Sequence, residues 1–459
     1  SPGAKAVVPP LPGIDDARIH TLRTVEDTFA VKKRADGLIE AGKTNAVVIG
    51  GGFIGLEMAE NLKDLGFSVT LLQRGTHVMP TLDYDMACDV HAYLRSCGID
   101  LKLGFDVVGF EPDDAADEVR VLGEGGESIP ASLVVTAIGV TPETHLAEDA
   151  GLELGIRKAI VVDGQMRTSD PSIFAVDDAV QVKHFVSDDD ALISLVGPAN
   201  KQGRVAADAI CGRERAFAAP QGSSVLKVFD MTIASTGLSE SAAARAGIAC
   251  DKAFTSSPSH ATYYPGARSM SVKTVFEPES GRILGAQIVG FEGVDKRIDV
   301  IATAIRAHMA AADLEELDLA YAPPYSSAKD PVNMAGFVIE NVRGGLVRQH
   351  HWHDVAALVG QRAQLLDVRT KAEYARGAIE GSVNIPLDEL RGRLDELDAD
   401  RPVFVNCHSG LRSYVACRML AGHGFACSNL AGGWRLYSSI VEDAAFDARP
   451  THPCGAPAV

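Results

Sequence analysis

The 459-residue sequence carries 43 Lys and Arg against 61 Asp and Glu, and its net charge of -18 sets up a field that repels nucleic-acid phosphates and anionic lipid. Apolar residues make up 46% and charged residues 23%, the balance of a globular chain rather than a disordered or fibrous one. The length calls for about three packed domains, and no apolar run reaches the roughly 18 to 20 residues needed to span a bilayer. The eight cysteines (88, 97, 211, 250, 407, 417, 427 and 454) are scattered without a C-x-x-C pair, and no signal-peptide pattern opens the chain, so a reducing, cytoplasmic compartment is expected. The first residues, "SPGAKAVVPPLPGIDD", are rich in Pro and Gly and lack an initiator Met, and they read as a chain joined partway through.

In chain order, residues 21–40 place Val25, Phe29, Val31 and Leu38 at helical spacing. "NAVVIGGGFIGLEMAENLKDLGFSVTLLQRG" reads as a buried strand (46–49), a glycine turn, a helix (about 54–65) and a second strand (69–72), one βαβ unit. "DMACDVHAYLRSCG" is helical, and "VVTAIGV" (134–140) is a further buried strand. Residues 160–180 alternate strand signals with turns. From 224 to 340, strands ("SVLKVFDMTIAST", "SVKTVFE", "ILGAQIVG") mix with helices ("DKRIDVIATAIRAHM", "PVNMAGFVIENV"), an α+β pattern. A new strand-and-helix alternation starts at "AQLLDVR". His350, His351 and His353 of the preceding "HHWH" are expected as solvent-exposed linker residues rather than metal ligands, and no metal site is expected.

Gly50, Gly52 and Gly55 form G-x-G-x-x-G between strand and helix, where the backbone turns tightly and aims free N–H groups at a dinucleotide pyrophosphate. An acid that would read the ribose of NAD is missing from the end of the second strand, which carries Gln73 and then Arg74. Without that carboxylate a 2′-phosphate is not repelled, and Arg74 can pair with one, so the site leans to NADPH over NADH.

"NCHSGLRS" (406–413) sets Cys407 between an apolar strand, "VFVN", and a helix, "SYVACRMLAGHG". Loop N–H groups and the helix start stabilise a thiolate or a persulfide anion there, and Arg412 can face the same charge. The rival loop is the phosphatase signature His-Cys-x5-Arg. Here Asn406 precedes the cysteine and four residues separate it from Arg412, a tighter cradle suited to one sulfur atom.

The stretches "SPGAKAVVPPLPG", "VVIGGGFIGLEMAENL", "VVTAIGVTPET", "SIFAVDDAV", "GPANKQGR", "KVFDMTIASTGLSE", "HATYYPGA" and "LAYAPPYSSAKDPVNMAGFV" together resemble the flavin-dependent pyridine nucleotide-disulfide oxidoreductases. The likeness is to the coenzyme A-disulfide reductase and persulfide reductase branch, and residues 360–437, with "LLDVRTKAEYARGAIEGSVNIPLDEL" and "NLAGGWRLY", resemble a rhodanese domain. The resemblance implies an α/β chain with Rossmann-like NAD(P) and partial FAD domains, an α+β dimerisation domain and a small α/β rhodanese domain. The divisions are a remnant of the FAD domain (1–24), the NAD(P) domain (25–145), the C-terminal part of the FAD domain (146–215), the dimerisation domain (216–342), a linker (343–355), the rhodanese domain (356–445) and a tail (446–459).

By the same resemblance the cofactors are FAD with NADPH or NADH, and coenzyme A is a substrate. The implied partners are small thiols, disulfides and persulfides and a second copy of the chain, with no nucleic acid and no membrane. Asp178 would bond the ribityl chain, with Asp177 standing where the family has glycine, and Pro198, Ala199 and Asn200 would face the flavin ring. Glu57 would lie near the nicotinamide, and Gly139 is counted with the cofactor-binding residues. Tyr264 and Tyr321, with Tyr263 and Tyr325 behind them, would donate a hydrogen bond to a thiolate. Asp367 and Arg369 resemble a structural pair. Cys88, Cys97, Cys211 and Cys250 are expected to be inert, and Cys417 and Cys427 to be core. No segment resembles the family's first FAD glycine motif or its flavin-facing redox cysteine. The expected function is therefore that of a disulfide or persulfide reductase coupled to sulfur transfer, read in a piece lacking the redox cysteine. The alternatives are an NADH oxidase or peroxidase on the same scaffold, and a truncated scaffold with only Cys407 sulfurtransferase activity.

Overall fold

Runs such as Ala46–Val48 and Leu133–Val135 are apolar on both faces, and such strands are stable only where both faces are covered. The computed structural model describes residues 1–446, and the expected tail lies, past Phe446, outside the described residues. The chain divides into two compact units, 1–82 with 90–230, and 83–89 with 231 onward.

In the first unit, β1 (Ile19–Thr21), α1 (Val25–Glu40), β2 (Asn45–Ile49), α2 (Phe53–Asp64), β3 (Ser68–Gln73), α3 (Tyr84–Ser96, whose first turn belongs to the second unit), β4 (Asp100–Leu103) and β5 (Leu133–Thr136) build a parallel sheet. Its strand order is β1-β5-β2-β3-β4. α1 starts later than its apolar spacing predicts, because Thr24 and Asp27 close a capping box there and Ile19–Thr21 pairs with β5. The strand expected over 134–140 stops at Thr136. Gly139 takes φ +110°, and Val140–Pro142 pairs antiparallel with Ala4–Ala6 instead. A three-stranded antiparallel sheet (Val107–Asp113, Glu118–Gly123, Ser128–Ala131) follows β4, and α4 (Val196–Ile210) closes the unit's second half.

In the second unit, β6 (Met231–Gly237), β7 (Asp251–Pro258), β8 (Ser269–Phe276) and β9 (Ile283–Gly290) run antiparallel in the order β6-β9-β8-β7, with α5 (Val294–Arg306) and α6 (Pro331–Arg343). Lys273 on β8 is fully buried, its Nζ 2.9 Å from Asp83, Asp85 and Glu240. Three carboxylates hold the ammonium charged despite its burial.

The small C-terminal domain is a parallel sheet of β10 (Gln349–His350), β11 (Gln364–Asp367), β12 (Val383–Asn384), β13 (Val403–Asn406) and β14 (Cys427–Leu430), in the order β10-β14-β13-β11-β12. Helices α7 (Leu411–Gly422) and α8 (Gly433–Phe446) follow β13 and β14. It is tied to the rest of its unit by polar side chains. Tyr84 donates to Asp443 at 3.0 Å, Ser439 donates to Asp89 at 3.0 Å, and Arg435 pairs with Asp89 at 3.2 Å.

Gln349–His350 is a strand paired with β14, so His350 is buried rather than exposed, its Nδ1 3.0 Å from Ser428 Oγ and its ring edge-on to Phe404. His351 and His353 stack on each other, half-buried. Burial pushes the His350 imidazole down to about 4, against roughly 6.5 in the unfolded chain. The unfolded state thus takes up a proton that the folded state refuses, so His350's contribution is complete above about pH 6.5 and is lost as the pH falls toward 4. In urea titrations between pH 7 and pH 4.5, His350→Gln is expected to flatten this decline in stability; an unchanged slope would assign it to other groups.

Candidate functional site

β13 delivers Cys407 into a loop that is pinned from behind. Asn406 donates to Asp367 at 3.0 Å, and Gly410 turns the chain into α7 at φ +99°. The first N–H groups of α8, from Trp434 and Arg435, donate to the carbonyls of Cys407 and His408 at 2.8 and 2.9 Å. Gly433 makes that approach possible, because a Cβ there would lie 2.7 and 2.8 Å from the same two oxygens. With the carbonyls engaged, the sulfur meets donors. Cys407 Sγ accepts from Gly410 N–H at 3.1 Å and from the Ser413 hydroxyl at 3.2 Å, and the residue is 1% exposed. Ser413, Gly433 and Trp434 were missed from the sequence, although Ser413 follows Arg412 directly in the motif.

Arg412 was expected to face the anion. It forks onto Glu373, at 2.8 and 2.7 Å, and Thr370 N–H and Oγ1 hold the same carboxylate at 2.9 and 2.8 Å. The guanidinium holds the Glu373 carboxyl well below the usual range. Asp367 and Arg369 form the expected structural pair, fully buried and forked at 2.6 to 3.0 Å, and Arg369 lies 4.7 Å over the Trp434 ring. Cys417 and Cys427 sit in or against the domain core, with Cys427 Sγ 3.3 Å from the Cys417 carbonyl.

In the first unit the glycines do what the spacing requires. A Cβ on Gly50 would lie 2.4 Å from Ala137 O, and one on Gly55 would lie 1.8 Å from Gly50 O. Gly52 starts α2 without a side-chain cap, leaving N–H groups for an anion. Gln73 is engaged within the turn, its Oε1 accepting from Gly51 N–H at 2.9 Å. Arg74 is exposed and has no ion pair among the described residues. Glu57 is exposed on α2 and lines, with Arg23, Lys32 and Met58, a cavity of about 470 Å³ between α1 and α2. Gly139 is exposed at its positive φ.

The residues expected to meet a flavin also fit one in part. Asp177 adopts φ +77°, the conformation for which glycine is the usual choice, and its N–H donates to Gln202 at 2.6 Å. Asp178 beside it pairs with Arg23 at 2.7 Å. α4 starts at Leu195 with no side-chain cap; Pro198 and Ala199 lie half-buried in its first turn and Asn200 is exposed, an electropositive start that suits an anionic ring.

Of the tyrosines, Tyr263 and Tyr321 are brought together, their hydroxyls 2.7 Å apart. Tyr264 instead packs edge-on against His260, and Tyr325 is exposed. Both loops hang on buried Arg297, whose Nη2 donates to Ser259 O, Ser326 Oγ and Asp330 Oδ2, each at 3.0 Å. Burial pushes the Cys88 and Cys250 thiols up, as inert cysteines require.

A turn built for a dinucleotide and a loop built for a sulfur anion, in one chain, define a nucleotide-dependent oxidoreductase joined to a sulfur-transfer domain. The chain belongs to the pyridine nucleotide-disulphide oxidoreductase family: that family's model matches residues 1–203, its dimerisation-domain model residues 223–331, and a rhodanese-like domain model residues 352–439. The crystal structure of reduced CoADR-RHD from Bacillus anthracis is 44% identical, with a TM-score of 0.92 over 96% of this chain and 78% of that one. A NAD-dependent persulfide reductase from A. fulgidus is 40% identical, with a TM-score of 0.88 over 95% of this chain and 78% of that one. A curated relative named NADH oxidase, from Methanocaldococcus jannaschii, is 35% identical over 72% of this chain and 73% of its own length. Among the described residues no helix is long and apolar enough to cross a membrane.

Where the sulfur reacts as a thiolate, a hydroxyl donating to it makes a charge-assisted hydrogen bond, worth roughly 1.5 to 3 kcal/mol. Ser413→Ala is expected to slow iodoacetamide alkylation of Cys407 at pH 7 by about tenfold or more, read by intact mass; an unchanged rate would show that the backbone alone activates the sulfur.

Proposed function

We propose that the protein uses NAD(P)H to reduce disulfides and persulfides, with coenzyme A as the thiol carrier, and that Cys407 supplies the sulfane sulfur. The observation that carries this reading is the pair of donors on Cys407 Sγ in a loop of single-sulfur size, in the same chain as a dinucleotide turn. Cys407 thiolate attacks the outer sulfur of a donor R–S–S⁻, one S–S bond forming as the other breaks, to give Cys407–S–S⁻ and R–S⁻. The new terminal anion is held by loop amides and the start of α7. Passed to coenzyme A, the persulfide takes up the equivalent of hydride, and CoA–S–S⁻ becomes CoA–S⁻ and HS⁻. FAD, when bound through Asp178 and the first turn of α4, supplies the acceptor for hydride from NAD(P)H. The hydrogen-bonded phenols of Tyr263 and Tyr321 are suited to donate to a departing thiolate.

The oxidase alternative is supported by a relative whose match covers 72% of the chain, whereas the two solved structures cover 96% and 95% and so take in the sulfur-transfer domain. The dimerisation-domain match supports a homodimer, and free cysteines such as Cys97 and Cys211 away from the core suit a reducing cytoplasm.

After treatment with polysulfide, the wild-type chain is expected to gain the mass of one sulfur atom and Cys407→Ser to gain none; an equal gain in both would overturn the role of Cys407. Arg74, exposed and without an ion pair among the described residues, supports NADPH as the nucleotide. Arg74→Ala is expected to weaken NADPH binding about tenfold while NADH binding stays within twofold, measured by fluorescence titration; parallel losses would remove Arg74 from phosphate recognition.

A further inference from the structure

His408, the neighbour of Cys407, lies in the field of one glutamate and three arginines: Glu373, Arg435, Arg412 and Arg369. Each arginine has a carboxylate of its own. Arg369 forks onto Asp367, Arg435 pairs with Asp89 at 3.2 Å, and Arg412 forks onto Glu373 at 2.8 and 2.7 Å. Glu373 is not a passing surface partner, since two further hydrogen bonds from Thr370 fix its carboxylate. What remains for an incoming sulfur is the Gly410 N–H, the Ser413 hydroxyl and the start of the 12-residue α7, which together offer roughly half a unit of positive charge. That offsets part of one negative charge and leaves a second wholly uncompensated.

We infer that Glu373 is a specificity-determining residue: by neutralising Arg412 it makes the Cys407 loop select organic persulfides, which present a singly charged terminal sulfur, over dianionic donors such as thiosulfate. This rests on the assignment of Cys407 as the sulfur acceptor. Both donors give the same product. With R–S–S⁻ the leaving group is R–S⁻; with thiosulfate the S–S bond breaks to release sulfite, SO₃²⁻, which carries both charges past Arg412. The loop length admits the sulfur atom, and the Arg412–Glu373 pair decides what may be attached to it.

The test uses the full chain, with 2-hydroxyethyl persulfide or thiosulfate as donor, cyanide as acceptor, and enzyme-dependent thiocyanate as readout. Wild type is expected to favour the persulfide at least tenfold in kcat/KM. Glu373→Gln, which releases Arg412, is expected to raise the thiosulfate-to-persulfide ratio at least tenfold and to tighten inhibition by sulfite by a similar factor. Glu373→Asp keeps the charge and should hold the ratio within threefold of wild type, and adding Arg412→Gln to Glu373→Gln should restore the wild-type ratio. A wild type that prefers thiosulfate, or a Glu373→Gln variant of native circular dichroism that leaves the ratio and the sulfite inhibition unmoved, overturns the inference. Should Glu373→Gln fail to fold, Glu373→Ala, which frees Arg412 in the same way, is expected to raise the ratio at least tenfold, and a folded Glu373→Ala with the wild-type ratio overturns the inference. Transfer that survives Cys407→Ser overturns the underlying assignment instead.

Discussion

The sulfur site depends on two carbonyls being turned away. The four-residue loop between β13 and α7, 407–410, has as many backbone acceptors as donors, and an anion is held only if the acceptors are engaged elsewhere. Here Cys407 O and His408 O are taken by the start of α8, and the absence of a side chain at Gly433 lets that helix come close enough. Everything that holds α8 in place therefore acts on Cys407 at one remove. Arg369 stacks on Trp434 while forked to Asp367, which also receives Asn406. The buried ion pair is thus a strut between the start of the loop and the start of α8, and the low local dielectric strengthens its hydrogen bonds.

Charge is handled in the same way elsewhere in the second unit. Lys273 is surrounded by Asp83, Asp85 and Glu240, and Arg297 by Asp330, Ser326 and three backbone carbonyls. A buried cation that lost these partners would be costly, so each one specifies where several chain segments must lie. Arg297 joins the two loops that carry the tyrosines, which is why Tyr263 and Tyr321 meet although 58 positions separate them. Around Cys407 the pairing has a second effect, because matching every arginine leaves the anion cradle to backbone amides and a hydroxyl.

Much of this was legible beforehand. The βαβ unit, the glycine turn and the strand-to-helix placement of Cys407 lie in short contiguous stretches whose period and punctuation report local structure directly. The Asp367–Arg369 pair stood two residues apart and was recognised as structural. What escaped were pairings between distant segments. Gln349–His350 has too few residues to show strand periodicity, and only β14 makes it a strand. The antiparallel sheet over 107–131 was missed for a related reason, its strands being mixed in polarity and stabilised by one another.

The sequence by itself determined that this chain turns around a dinucleotide and sets a cysteine at the mouth of a helix, because each is the work of a handful of adjacent residues. Only the tertiary structure decided which way the polar groups of those segments point. Arg412 lies five residues from Cys407 and looked like its counter-ion, yet a carboxylate 39 positions upstream claims it, and Gln73 closes the glycine turn. Spacing along the chain sets what can be near, but a fork of two hydrogen bonds to a fixed carboxylate outcompetes a single charge contact, and its partner is known only once the strands are in register.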